Sequence, residues 1–255
     1  MNPMNLIAVG DVHGMAQTLE LLLNDLEGRF QPSDSMFVFL GDLIDRGPDS
    51  HRAVEMVARV IDRYPGSMLI MGNHDEYMLN MSLLSLAADE ERAWMLLGGV
   101  VTLESYGLED HGDLVDAGKA FNAMHPRHAA LFRNAVTHFE TERFFFTHAG
   151  VNPAVPLADQ YIRDLRWIRR AFLTHTGLFE KLIIHGHSIT PTELPEVHPN
   201  RIAIDTGSHR TGRISAAIFT NDVLEGFTVA EVHGSGRGLR HFDANVKEVK
   251  PARVG

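Results

Sequence analysis

The sequence predicts an α/β fold, and two kinds of pattern lead to this prediction. Five short apolar runs have the length of strands but lack the alternation of a half-exposed strand, which indicates strands covered on both faces. Each run ends abruptly at Gly, Asp, Asn or His, and helical patterns separate the early runs. The five runs are residues 6–9, 36–40, 68–71, 144–146 and 182–184.

Helices and further strands are predicted in order along the chain. Residues 15–26 and 49–63 follow the first two runs with helical patterns, and a start signal precedes the second. Residues 76–138 contain no obvious buried strand and are predicted to form a helical insertion that breaks at Gly98-Gly99. Three more strands and a loosely held tail complete the chain. The strands are residues 201–205, 213–220 and 225–232, and the tail is residues 245–255.

The composition limits the class of protein. A chain of 255 residues with 44% apolar residues suits one large α/β domain, residues 1–255. With 23 Lys and Arg against 33 Asp and Glu, the formal net charge is −10, which argues against binding of a nucleic-acid duplex. The lack of cysteine excludes disulfides, thiolate ligands and a Cys nucleophile. Residues 1–9 show no secretory signal and no apolar stretch reaches the roughly 20 residues of a membrane helix, so we expect a cytoplasmic protein without membrane association.

Potential metal ligands follow the ends of the apolar runs. Because function gathers beyond the carboxyl ends of strands in open α/β sheets, we expect the five loops to converge at one edge. Asp11 and His13 offer a mixed oxygen and nitrogen pair suited to Mn, Fe or Zn. Asp42 has two carboxylate oxygens and can bridge two ions. The remaining donors are Asn73, His148 and His187. Each residue alone could merely cap a turn, but the six together favour a metal site.

Five sequence blocks resemble the phosphoprotein phosphatase family of serine/threonine phosphatases, within the calcineurin-like metallophosphoesterases. The first three are Gly10-Asp11-x-His13-Gly14, Gly41-Asp42-x-x-Asp45-Arg46-Gly47 and Gly72-Asn73-His74-Asp75. The two histidine blocks are Thr147-His148-Ala149-Gly150 and Gly186-His187-Ser188. The resemblance spans roughly residues 6–220 and points to the small bacterial and bacteriophage members. Ile189 stands where cyclic-nucleotide and nuclease-type relatives carry a last His, which favours the phosphoprotein phosphatase type.

The resemblance implies a four-layer α-β-β-α sandwich with mixed sheets and a helical insertion. It also implies two divalent metal ions, with Mn²⁺ expected and Fe or Zn as alternatives. Asp11, His13 and Asp42 would hold the first ion. The ligands of the second ion would be Asp42, Asn73, His148 and His187. The implied reaction is hydrolysis of a phosphate monoester by direct attack of a metal-bridging hydroxide on phosphorus.

Four further residues take roles in this hypothesis. His74 would protonate the leaving alkoxide as the general acid, and Asp75 would hold its ring. Arg46 would bind the phosphate, with a surface salt bridge as the alternative. Arg169, in a Trp-x-Arg segment like that of the bacteriophage-type enzymes, would be a second substrate-binding arginine, and a solvated helix face is the alternative. His185 is expected beside the metals or on the substrate side rather than as a ligand.

Three functions are compatible with these residues. The leading prediction is a protein serine/threonine phosphatase that acts on phosphorylated proteins or peptides. A dinucleoside tetraphosphate hydrolase, with a nucleotide substrate, would have the same metal core, but Ser188 replaces the bulky aromatic residue usual in such enzymes. A non-catalytic binding module on this fold would be expected to have lost ligands, and none of the six is missing. The other histidines, His51, His125 and His128 among them, show no spacing that suggests a site.

Overall fold

The computed structural model describes residues 5–249 and contains two β-sheets and ten α-helices within that range. The strands are β1 (Asn5–Val9), β2 (Ser35–Phe39), β3 (Met68–Leu69), β4 (His138–Glu140), β5 (Phe144–Thr147), β6 (Leu182–His185), β7 (Glu196–Val197), β8 (Arg201–Ala203), β9 (Arg213–Thr220), β10 (Val223–His233), β11 (Gly236–Asp243) and β12 (Glu248–Val249). The helices are α1 (Ala16–Arg29), α2 (Ser50–Arg63), α3 (Asn73–Ser82), α4 (Ala88–Trp94), α5 (Val100–Tyr106), α6 (Leu114–Met124), α7 (Pro126–Arg133), α8 (Ile162–Trp167), α9 (Arg170–Leu173) and α10 (Ser208–Thr211). A π-helical turn, Met95–Gly99, joins α4 to α5, and a 3₁₀ turn spans Leu157–Asp159.

Both sheets are mixed. The first has the order β12-β11-β10-β9-β1-β2-β3, and the second has the order β4-β5-β6-β8-β7. In the first sheet β1, β2 and β3 are parallel, whereas β9 pairs antiparallel with β1 and the remaining strands continue antiparallel. In the second sheet the parallel strands β5, β6 and β8 lie between antiparallel β4 and β7.

Three apolar clusters separate four layers. Inward side chains of both sheets, such as Ala8 and Ile184, form the cluster between the sheets. On the other face of the first sheet, Ile7 packs in a larger cluster with α1, α2 and the helices that follow β3. On the outer face of the second sheet, Phe145 packs with Phe172 of α9. The predicted four-layer α-β-β-α sandwich is therefore confirmed, and the continuous apolar runs are explained by burial of both strand faces.

The five predicted runs all form strands, but they are divided between the sheets. β1, β2 and β3 belong to the first sheet, whereas β5 and β6 belong to the second. The expectation that their loops converge at the edge of one sheet is therefore wrong, because the loops approach from two sheets. The loops still meet: the ring Nδ1 of His148, after β5, lies 2.7 Å from the carbonyl oxygen of Leu40, after β2.

The helix after β2 begins at the predicted position. The Asp49 side chain accepts a hydrogen bond of 3.1 Å from the backbone N–H of Arg52 and caps the first turn of α2. Val54 and Val57 are buried on the face that covers the first sheet. The capped start fixes the end of the preceding loop, which carries several of the predicted site residues.

The chain between β3 and β4 is helical and packs against the loop after β2. The predicted break is found at Gly98, whose φ is +116°. A Cβ at this glycine would lie 2.6 Å from the backbone nitrogen of Arg46, so only glycine permits this close approach. Trp94 and Thr102, on either side of the break, are buried and reach the same loop.

Several short or exposed strands were not predicted. β11 contains Gly236 and Gly238 and buries only Phe242, so its sequence lacks an apolar pattern, yet it pairs with β10 along its whole length. β4 and β7 are short edge strands with little buried surface. In the predicted tail, residues 248–249 form β12, while residues 250–255 lie outside the described residues, as do residues 1–4 of the N-terminal segment. None of the helices within residues 5–249 has the length and apolar character to cross a bilayer.

Candidate active site

The loops that follow β1 and β2 are held together by backbone hydrogen bonds. The amides of Val12 and His13 donate to the carbonyl oxygen of Asp42 at 3.0 and 2.8 Å. The amide of His187 in turn donates to both carboxylate oxygens of Asp11 at 3.0 and 3.1 Å. A Cβ at Gly186 would collide with the Asp11 carboxylate, which explains the glycine in the Gly-His block.

The six predicted metal ligands lie together in this region, and Asp42 is at their centre. One Asp42 oxygen, Oδ2, lies 3.6 Å from Nε2 of His13, and the other, Oδ1, lies 3.4 Å from Nε2 of His148. Asp11 and Asn73 extend the two sides, at 4.0 Å from His13 Nε2 and 3.0 Å from His148 Nε2. Asp42 therefore faces two separate histidines with its two oxygens, as a bridging carboxylate would.

Two groups of donors within the described residues are compact enough to hold an ion each. In the first group, ligand atoms of His13, Asp42 and His74 lie within 4.8 Å of one another. In the second, those of Asp42, His148 and His187 do so. Both groups are buried and both include Asp42. The arrangement could therefore accommodate a pair of ions that share one carboxylate.

The histidine tautomers also suit metal binding. Nδ1 of His13 donates to the carbonyl oxygen of Ile44 at 2.9 Å, and Nδ1 of His148 donates to that of Leu40 at 2.7 Å. In the neutral form of each ring this leaves a lone pair on Nε2, the nitrogen that faces the carboxylates. Nε2 of His187 is buried and has no hydrogen-bond partner among the described residues. Three imidazole nitrogens and two carboxylates converge, so this donor set fits divalent cations.

Two buried carboxyl groups of the site, those of Asp11 and Asp205, would be stabilised in their ionised form by a bound cation. Burial, followed by the nearby charge of Asp205, raises the pKa of Asp11 well above its ordinary value. Burial likewise raises the pKa of Asp205 to about 6. These carboxyl groups resist ionisation in the metal-free protein because each faces other acids in a region of low dielectric constant. A bound cation would reverse that cost.

Backbone strain is concentrated at the same place. Five non-glycine residues of the site have φ angles between 45° and 72°, in the left-handed region that L-residues rarely adopt. They are His13, Asp42, Asp45, Arg46 and His187. Strained residues of this kind cluster at functional sites, where the surrounding structure holds them in place.

The carboxylate that holds the His74 ring is Asp45, which corrects the predicted role of Asp75. Nδ1 of His74 lies 2.6 Å from Oδ2 of Asp45. Asp45 is fully buried and also accepts hydrogen bonds from Trp94 Nε1, at 3.0 Å, and Thr102 Oγ1, at 2.6 Å. The helical insertion therefore fixes Asp45. Asp45 lies in a signature block, but its contact with His74 could not be predicted from the sequence because it joins distant loops.

Asp75 has a different position from the one predicted. Its oxygens accept hydrogen bonds from the backbone amides of Leu43, at 2.9 Å, and Gly72, at 3.2 Å. These bonds cap the start of α3 and tie it to the loop that carries Asp42. Asp75 adjoins His74 in sequence, but its carboxylate is directed at these amides.

The two predicted substrate-binding arginines lie differently. Nη2 of Arg46 lies 2.8 Å from Nε2 of His74, so the guanidinium lies beside the ring nitrogen that would transfer a proton. Arg169 is exposed, precedes α9 and makes no ion pair among the described residues. Burial lowers the pKa of His187, and the nearby charge of Arg169 adds to this effect. Arg46 therefore lies beside the predicted general acid His74, and Arg169 lies near the predicted ligand His187.

Sequence reasoning missed the position of His209. His209 lies in helix α10. The centroid of its ring lies 5.2 Å from that of the His13 ring, and the two rings are nearly perpendicular. The only signal in the sequence was its position shortly after Asp205, at the end of a strand. His185 is buried in β6, where its Nδ1 lies 2.9 Å from the carbonyl oxygen of Gly186 and burial lowers its pKa to about 3.

Known proteins with similar sequences include a protein phosphatase and a nucleotide hydrolase. Serine/threonine-protein phosphatase 1 of Salmonella typhimurium is 35% identical over 91 residues, which cover 36% of this chain and 37% of that protein. An asymmetrical bis(5'-nucleosyl)-tetraphosphatase of Oceanobacillus iheyensis is 25% identical over 242 residues, which cover 85% of this chain and 89% of that protein. The chain thus spans well under half of the first relative and most of the second.

Solved structures and a family model extend the comparison. The cold-active protein-tyrosine phosphatase of a psychrophilic Shewanella species has a TM-score of 0.53 at 15% identity, over 93% of this chain and 80% of that one, which shows a common fold. The family model of calcineurin-like phosphoesterases matches residues 4–203. This range contains all six predicted metal ligands and every signature block. The prediction from the sequence blocks is confirmed, and the chain belongs to the calcineurin-like phosphoesterase family.

Proposed function

We propose that the protein is a metal-dependent phosphomonoesterase that removes phosphate from phosphoserine or phosphothreonine in proteins. The observation that carries this proposal is the placement of Asp42, with one oxygen towards His13 and the other towards His148. The proposed site holds two divalent ions, which we expect to be Mn²⁺. The first ion would be bound by Asp11, His13 and Asp42. The ligands of the second ion would be Asp42, Asn73, His148 and His187.

Bound ions would supply positive charge at the phosphate oxygens and a water of lowered pKa. Around them, the exposed guanidinium of Arg46 would bind the remaining phosphate oxygens in a planar, charge-assisted contact. Arg169, also exposed and near His187, would provide a second positive charge for the substrate.

His74 is proposed as the proton donor to the leaving alkoxide. Its Nδ1 lies 2.6 Å from Oδ2 of Asp45, which orients the ring and leaves Nε2 free to deliver a proton. In the structure Arg46 contacts Nε2, so a bound phosphate would have to draw the guanidinium away from the ring. The serine or threonine oxygen would then take the proton as its bond to phosphorus breaks.

A second candidate is hydrolysis of a dinucleoside tetraphosphate. Support for it comes from the Oceanobacillus relative, named a tetraphosphatase, which is matched along 89% of its length. A groove beside Asn73 is lined by Tyr77 and Trp167, whose rings meet edge to face at 6.3 Å, and the exposed ring of Trp167 could offer one face to a nucleobase. Against it stands Ser188 in place of an aromatic residue, as the sequence blocks indicate.

The two candidates are separated by a substrate panel. The full-length protein is assayed with a phosphoserine peptide and with diadenosine tetraphosphate, each with Mn²⁺ and again after chelation. We expect release of phosphate from the peptide with the higher kcat/KM, and loss of both activities on chelation. A higher kcat/KM for the nucleotide would replace the proposed substrate, and activity that survives complete chelation would refute the metal-dependent mechanism.

Separate substitution of Asp45 and Asp75 by Asn tests which of the two carboxylates acts on His74. Asp45→Asn should lower kcat by roughly tenfold to a hundredfold with little change in KM, because Asn keeps a hydrogen-bond partner for the ring but removes the negative charge beside it. The matched Asp75→Asn variant should mainly lower thermal stability, because Asp75 contacts backbone amides. Steady-state kinetics and Tm are measured for both. A larger loss of kcat in the Asp75 variant would restore the role predicted from the sequence.

Metal affinity should rise with pH. Burial opposes protonation of His148, but the neighbouring Asp42 outweighs it and raises the pKa of His148 to about 9 in the metal-free protein. The proton stabilises the metal-free fold fully below the ordinary histidine value of about 6.5, and this contribution is lost as the pH rises through about 9. The same proton competes with a metal ion for His148, so affinity should fall about tenfold per pH unit below that value.

The increase in Tm on addition of Mn²⁺ measures this competition. The increase in Tm should be clearly larger at about pH 8.5 than at about pH 6.5, because a smaller fraction of His148 is protonated at the higher pH and has to lose its proton to bind the ion. A His148→Asn variant should show a smaller dependence on pH. Equal increases at both values for the unmodified protein would contradict the raised pKa.

A further inference from the structure

Three histidines form a second cluster, on helices that the sequence does not relate. His51 lies in the first turn of α2, His125 directly precedes α7, and His128 lies in the first turn of α7. One ring nitrogen of each lies within 4.8 Å of one nitrogen of each of the others. The ring centroids are 5.0 Å apart for His51 and His125, 5.2 Å for His51 and His128, and 5.8 Å for His125 and His128.

We propose that these three imidazoles form an additional metal site, separate from the candidate active site, that binds one Zn²⁺ ion. Imidazole nitrogen suits Zn²⁺, Ni²⁺ and Cu²⁺, and three histidines with a water molecule complete a four-coordinate zinc site. None of the three belongs to the donor groups around Asp42. The hard, oxygen-rich donor set expected for Mn²⁺ is absent from this cluster among the described residues.

A carboxylate fixes the tautomer of His128. Nε2 of His128 lies 2.8 Å from Oε2 of Glu55, and this carboxylate also pairs with Arg127. Because a carboxylate only accepts, Nε2 carries the proton and Nδ1 keeps its lone pair. The hydroxyl of Tyr106 lies 3.0 Å from Nδ1 and donates to that lone pair. A metal ion would bind Nδ1 in place of this hydrogen bond, and the Tyr106 hydroxyl would turn away and keep its proton. Glu55 would orient the ring as carboxylates do behind zinc-bound histidines.

The protonation state of the cluster is the one that metals require. Burial, with the charge of His51 adding to it, lowers the pKa of His125. Burial also lowers the pKa of His128, against the hydrogen bond from Glu55, which raises it. Burial therefore favours the neutral form of His125 and His128, the form in which an imidazole nitrogen binds a metal ion.

The site would connect two helices that are distant in sequence. His51 follows Ser50, whose hydroxyl lies 3.1 Å from the backbone nitrogen of Asp45. The His51 amide in turn donates to Ser105 of α5 at 3.2 Å. An ion bound to α2 and α7 would thus stabilise the packing behind the loop that carries Asp45, without contact with the reacting groups.

The experiment counts bound zinc in two backgrounds. The full-length protein and an Asp42→Asn variant, in which the candidate active site is disabled, are dialysed against Zn²⁺, and bound metal is measured. We expect one equivalent to remain in the Asp42→Asn protein and to be lost when His51→Asn or His125→Asn is added. His111→Asn, at an exposed position outside the cluster, serves as the matched control and should keep the ion.

Two further measurements distinguish a metal site from a packing cluster. Co²⁺ in the Asp42→Asn background should give the visible absorption of a four-coordinate nitrogen site, and Glu55→Gln should weaken its affinity roughly 10–100-fold. The His51→Asn and His125→Asn variants of the unmodified active site should retain Mn²⁺-dependent phosphate release. Unchanged zinc content in both variants would overturn the proposal. A lowered Tm in both with no change in metal content would likewise overturn it and assign the cluster a packing role.

Discussion

Asp42→Asn is expected to abolish most phosphate release and to remove both ions from the candidate active site. The amide keeps the shape of the side chain but has one oxygen and no charge, so it cannot face His13 and His148 as the carboxylate does. A pair of ions contributes several kcal/mol of transition-state stabilisation, so the loss of rate should be about 10³-fold or more. Bound Mn²⁺ and kcat are measured on the same preparation.

The matched control is Asp110→Asn, which removes one charge from an exposed position. It should leave metal content and kcat unchanged. The Asp42 variant should still fold, because the amide keeps the shape of the side chain and leaves the apolar packing around it unchanged. If it retained two equivalents of Mn²⁺ and normal turnover, Asp42 would not be a bridging ligand.

His74→Asn is expected to lower kcat by roughly 10²–10⁴-fold on a phosphoserine peptide, because it removes the proposed proton donor. The size of the loss should depend on the leaving group. An aryl phosphate has a leaving group of lower pKa that departs without a proton, so its hydrolysis should fall much less. Both substrates are assayed over a range of pH with the unmodified and variant proteins.

The contrast between the two substrates separates acid catalysis from a structural role. Equal losses on both substrates would indicate that His74 positions the site instead of donating a proton. The metal content provides a second check, because a ligand atom of His74 lies within 4.8 Å of those of His13 and Asp42. Loss of metal in His74→Asn would assign it to the ion-binding group.

Local patterns in the sequence located the predicted metal ligands that follow a strand end. Asp11, Asp42 and His148 each follow a buried run, so the run and the polar residue after it could be recognised locally. The division of these strands between two sheets could not be recognised, because every run is apolar on both faces whichever sheet contains it. The family resemblance supplied the four-layer arrangement.

Contacts between distant segments were the other part that local patterns could not give. Asp45 binds His74 because Trp94 and Thr102 of the insertion hold its carboxylate, and no spacing in the sequence reports this. His51 and His128 lie far apart in the chain and meet only because α2 packs on α7. Partner choice of this kind depends on helix packing, which the sequence pattern leaves undetermined.

The left-handed residues around the site have a consequence for how the protein matures. An L-residue in this conformation costs about 1–2 kcal/mol, so five of them forfeit on the order of the whole net stability of a domain. We therefore expect the loops to take this shape only when both sheets are in place, since the loops alone would relax to ordinary turns. The metal site would be incomplete until the chain has folded, so we expect metal ions to bind after folding.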